Sequence, residues 1–362
     1  MQRLRVLTLH NVLIAGLLVL CVGCRTSGND RPIGAVVAIR APLGLPPVPI
    51  PADNPPTMGT IALGRKLFYD PILSKDKTLS CASCHNPNIG FTDGRRIAVG
   101  FAGQLGVRNA PTLLNAAYSP VQFWDGRAAS LEAQSADPMA NPLEMNQTHQ
   151  VSVSKIQADP AYREEFAQAF GPGTVTIEKI QKSLASFERT LLSGDSPFDQ
   201  YQYAGNKQAL SPAAIRGLAI FQDPKRGNCA VCHTINPTYA LFTDGKFHNT
   251  GAGVNGAGDF TDMGRFGQTK IAAEKGEFKT PTLRDVALTA PYMHDGSLKT
   301  LSDVVDFYAG GGNSNPSLDK EIKPLNLSAQ DRADLVKFLQ ALTGQIPRNA
   351  GPPAKEQVYS QR

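Results

Sequence analysis

Two stretches of this 362-residue chain share one chemical frame, Cys81-Ala82-Ser83-Cys84-His85 and Cys229-Ala230-Val231-Cys232-His233. Two thiols followed directly by an imidazole suit covalent haem attachment: the sulfurs bond the porphyrin edge and the histidine becomes an axial iron ligand. A zinc knuckle or a thioredoxin-like redox pair uses the same thiols. Two copies, both ending in His and both behind an apparent export signal, favour two c-type haems.

The chain repeats itself around these motifs. Gly64-Arg65-Lys66-Leu67-Phe68-Tyr69-Asp70-Pro71 precedes the first, and Gly217-Leu218-Ala219-Ile220-Phe221-Gln222-Asp223-Pro224 the second. Pro111-Thr112-Leu113, Asp125-Gly126 and Leu131 recur at a constant offset of 170 residues as Pro281-Thr282-Leu283, Asp295-Gly296 and Leu301. This is the pattern of one haem domain duplicated, and it informs most where it breaks. Trp124, the only tryptophan, shares a slot with His294, and fourteen residues on Pro138 shares one with Tyr308. Proline has no side-chain atom that binds iron, whereas a phenolate is a hard oxygen ligand suited to ferric iron. If that slot faces the distal side of each haem, the first iron is open and the second closed; otherwise Tyr308 packs on a helix beginning near Thr300. Met293 and Met263 are rival ligands for the second haem, or core fillers. At an open iron, splitting an O–O bond needs a group that moves a proton from one oxygen to the other. Glu144, in Asn141-Pro142-Leu143-Glu144-Met145, has that chemistry, with Gln134 ahead of it; taken alone it reads as a solvated loop carboxylate.

The elements that must position these groups read as helices. Thr176 caps a helix with the apolar face Ile177, Ile180, Leu184, Phe187 and Leu191, closed by Gly194. Ser211 with Pro212 starts another, and Ser328 starts a third carrying Leu335, Phe338, Leu339 and Leu342. Strand-type alternation is lacking. The expected fold is mainly α: two tandem cytochrome c-like haem domains, 58–205 and 206–346, with long loops and a tail at 347–362. Between His233 and His294 the second copy is longer than the first, with a Gly-rich insertion at 251–258 expected as a surface loop.

Residues 1–24 carry Arg3 and Arg5 and then an apolar run from Val12 to Val22, the pattern of a secretory signal. A transmembrane helix is the rival, but the run is short. Leu20-Cys21-Val22-Gly23-Cys24 resembles a lipoprotein box, so a lipid anchor on Cys24 competes with simple cleavage; the expected compartment is the periplasm. Residues 25–57 hold eight prolines and read as an extended tether, or as a chain wrapping over the body. The formal charge of +5 is too weak and scattered for nucleic acid.

With these residues in place, the chain resembles the bacterial di-haem cytochrome c peroxidase and MauG family over about residues 58–345. Both haem motifs, R-N-A-P-T-L-L-N (108–115), F-W-D-G-R-A-A-S-L-E (123–132), N-P-L-E-M (141–145), T-P-T-L-R (280–284) and A-P-Y-M-H-D-G-S-L-K-T-L (290–301) carry the likeness. It implies that His85 ligates a peroxide-reactive haem and His233 an electron-relay haem, with Trp124 bridging them. Gln134, Pro138 and Glu144 match the distal pocket, and Asn109, Thr289 and Pro291 match positions around a structural Ca²⁺. Conventional members carry a blocking His between the first motif and the Trp, and a Met on the second haem. This chain has no His between His85 and Trp124, and Tyr308 stands at the second position, as in MauG-like members. The resemblance therefore implies an exported peroxidase that reduces hydrogen peroxide at an open first haem, with electrons from a small cytochrome c or cupredoxin. Its rivals are a MauG-like oxidase that builds a quinone cofactor in a partner protein, and a di-haem electron carrier without catalysis.

Overall fold

The structure, a computed structural model, describes residues 30–354. The expected export signal, Cys24 and the last eight residues, 355–362, lie outside that range. The fold is mainly helical, with one two-stranded antiparallel ribbon among the described residues, in which β1 (Phe247–His248) pairs with β2 (Phe278–Lys279). No described helix is long and apolar enough to cross a membrane.

Six helices frame the site, and each begins where a hydroxyl can satisfy the free N–H groups of a first turn. In the first half these are α1 (Met58–Tyr69) capped by Thr57, α2 (Leu131–Ala140) capped by Ser130 and α3 (Ile177–Glu188) capped by Thr176. In the second they are α4 (Pro212–Gln222) capped by Ser211, α5 (Leu301–Ala309) capped by Thr300 and α6 (Ala329–Gln340) capped by Ser328. The three caps read from the sequence are all present. Gly194, expected to close α3, instead touches Pro42 and Leu43, because the helix ends at Glu188 and the chain makes a further turn.

Three phenylalanines recur at matching places in the two cores, the second of which also holds Phe198. Phe68, Phe91 and Phe187 meet in the first core, and Phe221, Phe242 and Phe338 in the second, with ring centroids 5.0–6.3 Å apart. All six are fully or almost fully buried, and each stabilises its core by about 1.5–3 kcal/mol. A glycine permits the helix crossing in each core. A Cβ on Gly64 of α1 would stand 1.8 Å from the Ser183 carbonyl oxygen of α3, and one on Gly217 of α4 would stand 2.1 Å from that of Asp334 on α6.

The proline-rich segment, expected first as a tether, lies along the body from residue 30 onward. Prolines lack N–H groups and keep the chain extended, so the segment is held largely through its carbonyls. Gly44 O accepts from Ala240 N and Arg284 Nη2 in the second half, Leu43 O from Asp195 N, and Pro46 O from the Tyr118 hydroxyl in the first. Arg284 is itself buried and paired with Asp199 at 2.8 Å. The C-terminal tail also returns to the first half: Ala350 is buried in its core, and the Tyr69 hydroxyl and Arg65 donate to the Ala350 and Gly351 carbonyls. Strap and tail thus cross the boundaries expected near 57 and 346.

Candidate haem centres

Both motif histidines are held in the same way. His85 Nδ1 lies 3.1 Å from the Phe91 carbonyl oxygen and His233 Nδ1 lies 2.8 Å from that of Phe242. Phe91 and Phe242 both adopt positive φ, which turns these carbonyls toward the rings. Thr112 and Thr282 brace the same turns by donating to the carbonyls of Gly90 and Leu241, one residue earlier. With Nδ1 committed to a carbonyl, Nε2 is the atom left for a metal, and neither Nε2 has a partner among the described residues. Burial holds both imidazoles below their usual range, so they are neutral ligands in waiting. The thiols of Cys81, Cys84, Cys229 and Cys232 form no disulfide among the described residues. Burial pushes Cys81 and Cys229 up to about 12.

One cavity of about 470 Å³ joins the two centres. The first half lines it with Cys84, His85, Trp124, Gln134, Pro138 and Glu144, and the second with Cys229, Cys232, His233, Met293 and Tyr308. Pro138 sits inside α2 near its end and Tyr308 near the end of α5, so the shared slot occupies corresponding helices. Glu144 follows α2 in a turn where Asn141 Nδ2 donates to its Oε1 at 2.6 Å. Burial raises its pKa, against the opposing pull of that amide and of Arg127. Burial and the neighbouring Cys229 and Cys232 likewise raise the Tyr308 phenol, so only a cation at its oxygen would hold it as phenolate. Met293 lines the cavity, whereas Met263, weighed as a rival ligand, is exposed and outside it.

Trp124 and His294 both stand where the halves join, and the backbone there exchanges bonds in a reciprocal pattern. Asn109 N donates to His294 O and Lys279 N to Trp124 O, both at 2.8 Å, and Asn109 and Lys279 are themselves 170 positions apart. Trp124 Nε1 donates to the Asn109 carbonyl at 3.0 Å, which fixes the indole plane. His294 is buried against Phe278, ring centroids 3.6 Å apart. Asn109 spends its Nδ2 on the Arg95 carbonyl, leaving Oδ1 to accept. The carbonyls of Thr289 and Pro291 accept no hydrogen bond among the described residues, and both residues line the same cavity. These oxygens are of the hard, neutral kind that suits Ca²⁺.

The sequence profile of the family described as di-haem cytochrome c peroxidase matches residues 59–208. Methylamine utilization protein MauG of Methylorubrum extorquens is 41% identical over 324 residues, covering 89% of each chain. Cytochrome c551 peroxidase of Pseudomonas aeruginosa is 37% identical over 290 residues, covering 79% of each. The chain belongs to the di-haem cytochrome c peroxidase and MauG family. Among solved structures, a MauG-like protein associated with microbial copper homeostasis matches with a TM-score of 0.78 at 33% identity, covering 87% of this chain and 98% of that one. The family is one of oxidoreductases carrying two c-type haems, and the residues present fit that cofactor: four unbridged thiols and two oriented imidazoles surround one cavity.

Two residues near the centres escaped the sequence reading. His248 on β1 lies between Asp244 at 2.9 Å and Asp319 at 2.5 Å, beside Cys232. The Cys232 sulfur and the two carboxylates raise it to about 10. These three groups could hold a metal as free side chains, but a haem-bound Cys232 has no thiolate to offer. Glu188, at the end of α3, also carried no signal, because its place in a helix pattern is that of a core-flanking residue.

Proposed function

We propose that this protein is an exported di-haem peroxidase of MauG-like type, which reduces hydrogen peroxide at the first centre with electrons relayed through the second. The observation that carries this reading is the asymmetry of the shared slot: Pro138 and Glu144 line the cavity beside His85, while Tyr308 lines it beside His233. His85 and His233 would hold the irons through Nε2, and when bound the first haem supplies the redox chemistry with peroxide. Glu144 takes a proton at its carboxylate and returns it, a task favoured by a pKa that burial moves toward neutrality. Asn141 orients that carboxyl group and Gln134 adds an amide beside it. Trp124, clamped between the halves by its indole and its carbonyl, is placed to pass electrons. Asn109, Thr289 and Pro291 would hold a Ca²⁺ that ties the halves together. The matching phenylalanine triads, glycine crossings and histidine carbonyl partners support an origin of the halves by duplication. The basic, apolar start of the sequence supports export to the periplasm, with Cys24 the residue that would take a lipid anchor.

Electron paramagnetic resonance of the resting ferric protein tests the asymmetry, because it counts open irons. One high-spin and one low-spin signal is expected; two low-spin signals would overturn the reading in favour of an electron carrier. The similarity to MauG over 89% of the chain favours a second reading, oxidation of aromatic side chains in a partner protein to make a quinone cofactor. Fast peroxide turnover with a reduced small cytochrome c or cupredoxin decides for the peroxidase.

A further inference from the structure

The first haem pocket contains an acid that the mechanism above does not use. Glu188 is 4% exposed, its Oε2 is enclosed without a partner, and it lines a second cavity of about 60 Å³ together with Cys81, His85, Gln134, Pro138 and Glu144. The adjacent Arg189 makes no hydrogen bond to it: the guanidinium is paired with Glu132 at 2.8 and 3.1 Å, and its Nε and Nη1 are themselves enclosed without a hydrogen-bond partner among the described residues. An ionised carboxylate enclosed in this way would cost several kcal/mol. The group therefore favours its protonated form, and its O–H has no acceptor among the described residues. Burial first, and then Glu132 against the pull of Arg189, moves its pKa up to about 8.

The second half shows that the fold does not require a carboxyl group here. Phe187 corresponds to Phe338 in the phenylalanine triads, and Leu191 O accepts from Asn115 N as Leu342 O does from Asp285 N. Both pairs are 151 residues apart, so the counterpart of Glu188 is Leu339, a buried core residue. Helix packing asks only for an apolar side chain at this position; the acid stands beside the centre with the open slot alone.

We propose that Glu188 is a second proton donor on the substrate side of the first haem. This rests on the peroxidase reading. Reducing hydrogen peroxide to two waters takes up two protons and two electrons, the electrons coming from the one-electron donor protein. Glu144 returns the proton it takes, so it supplies none of the net two. Glu188 gives its hydroxyl proton to an oxygen that is becoming water, is left as carboxylate, and regains a proton from solvent. Several residues lining the same cavity, Ser80 and Gln134 among them, are partly exposed, so solvent lies within reach for that return of a proton.

The test uses the haem-loaded protein with Glu188→Gln and Glu188→Leu, the latter copying the residue that the second half accommodates. At neutral pH the wild type should show an infrared band of a protonated carboxyl group that shifts in D2O and is missing from both variants. The reaction of each variant with peroxide should slow by about a hundredfold, with haem content and resting ferric spectra unchanged. A band that survives in the variants, or peroxide rates equal to wild type, overturns the proposal. Wild-type protein that does not consume peroxide overturns the peroxidase reading beneath it, an outcome distinguishable because the band then persists in the wild type.

Discussion

Glu144 and Glu188 share a cavity but are held differently, and the difference sets what substitution does. Glu144 has an amide partner at 2.6 Å, and burial raises its pKa against the pull of that amide. Glu144→Gln keeps that contact and removes the acid-base function, so stopped-flow measurement should find peroxide reaction slowed by about 10²–10⁴-fold with both haems retained. Glu188 has no hydrogen-bond partner among the described residues, and its folded pKa of about 8 lies well above that of an exposed glutamate. A raised folded pKa means that the native state holds its proton more tightly. The stability this contributes is full below the unfolded value near 4.5 and is lost as pH rises through about 8. Calorimetry should therefore find Glu188→Leu more stable than wild type at pH 8 by on the order of 4 kcal/mol, with little of that gain at pH 5. Of these two residues only Glu144 was legible in the sequence. It sits in a proline-flanked loop at a readable distance from Pro138, whereas Glu188 is one polar residue on a helix whose buried sector only packing defines.

At the scale of elements, helix pairs α1 with α3 and α4 with α6 are set by glycines that meet backbone rather than side chain. Gly64→Ala would drive a methyl group into the Ser183 carbonyl, and the helices must part to admit it. The expected cost is about 1–3 kcal/mol, read as a lower denaturant midpoint without loss of covalent haem. The repeated G-x-x-x-F-x-D-P was visible as a repeat, and the caps at Thr176, Ser211 and Ser328 were visible as helix starts. Their meaning as crossing points was not, because a crossing depends on the partner helix more than a hundred residues away.

At the scale of the molecule, two halves with separate cores are joined by the reciprocal bonds at Trp124 and His294, by the proline strap and by the returning tail. The Arg284–Asp199 pair is the buried knot of the strap, reached by Gly44 from one side. Arg284→Met leaves the buried Asp199 carboxylate without its cation, with only the two hydrogen bonds from Ser196 remaining, and should lower stability by about 3–5 kcal/mol in chemical denaturation. The strap was read first as a tether because composition reports stiffness and missing donors. It does not report which surface offers N–H groups to the free carbonyls.

The sequence by itself determined the chemistry of attachment, the twofold repeat and the slot where proline replaces tyrosine, because all three are written in local spacing and in comparison of the chain with itself. Only the tertiary structure decided how the histidines are aimed, that Met263 stands outside the cavity, that the strap binds both halves and the tail returns to the first, and that an acid without a partner among the described residues lies beside the first centre. Those depend on burial and on contacts between distant residues, and no spacing along the chain encodes which surfaces will exclude water.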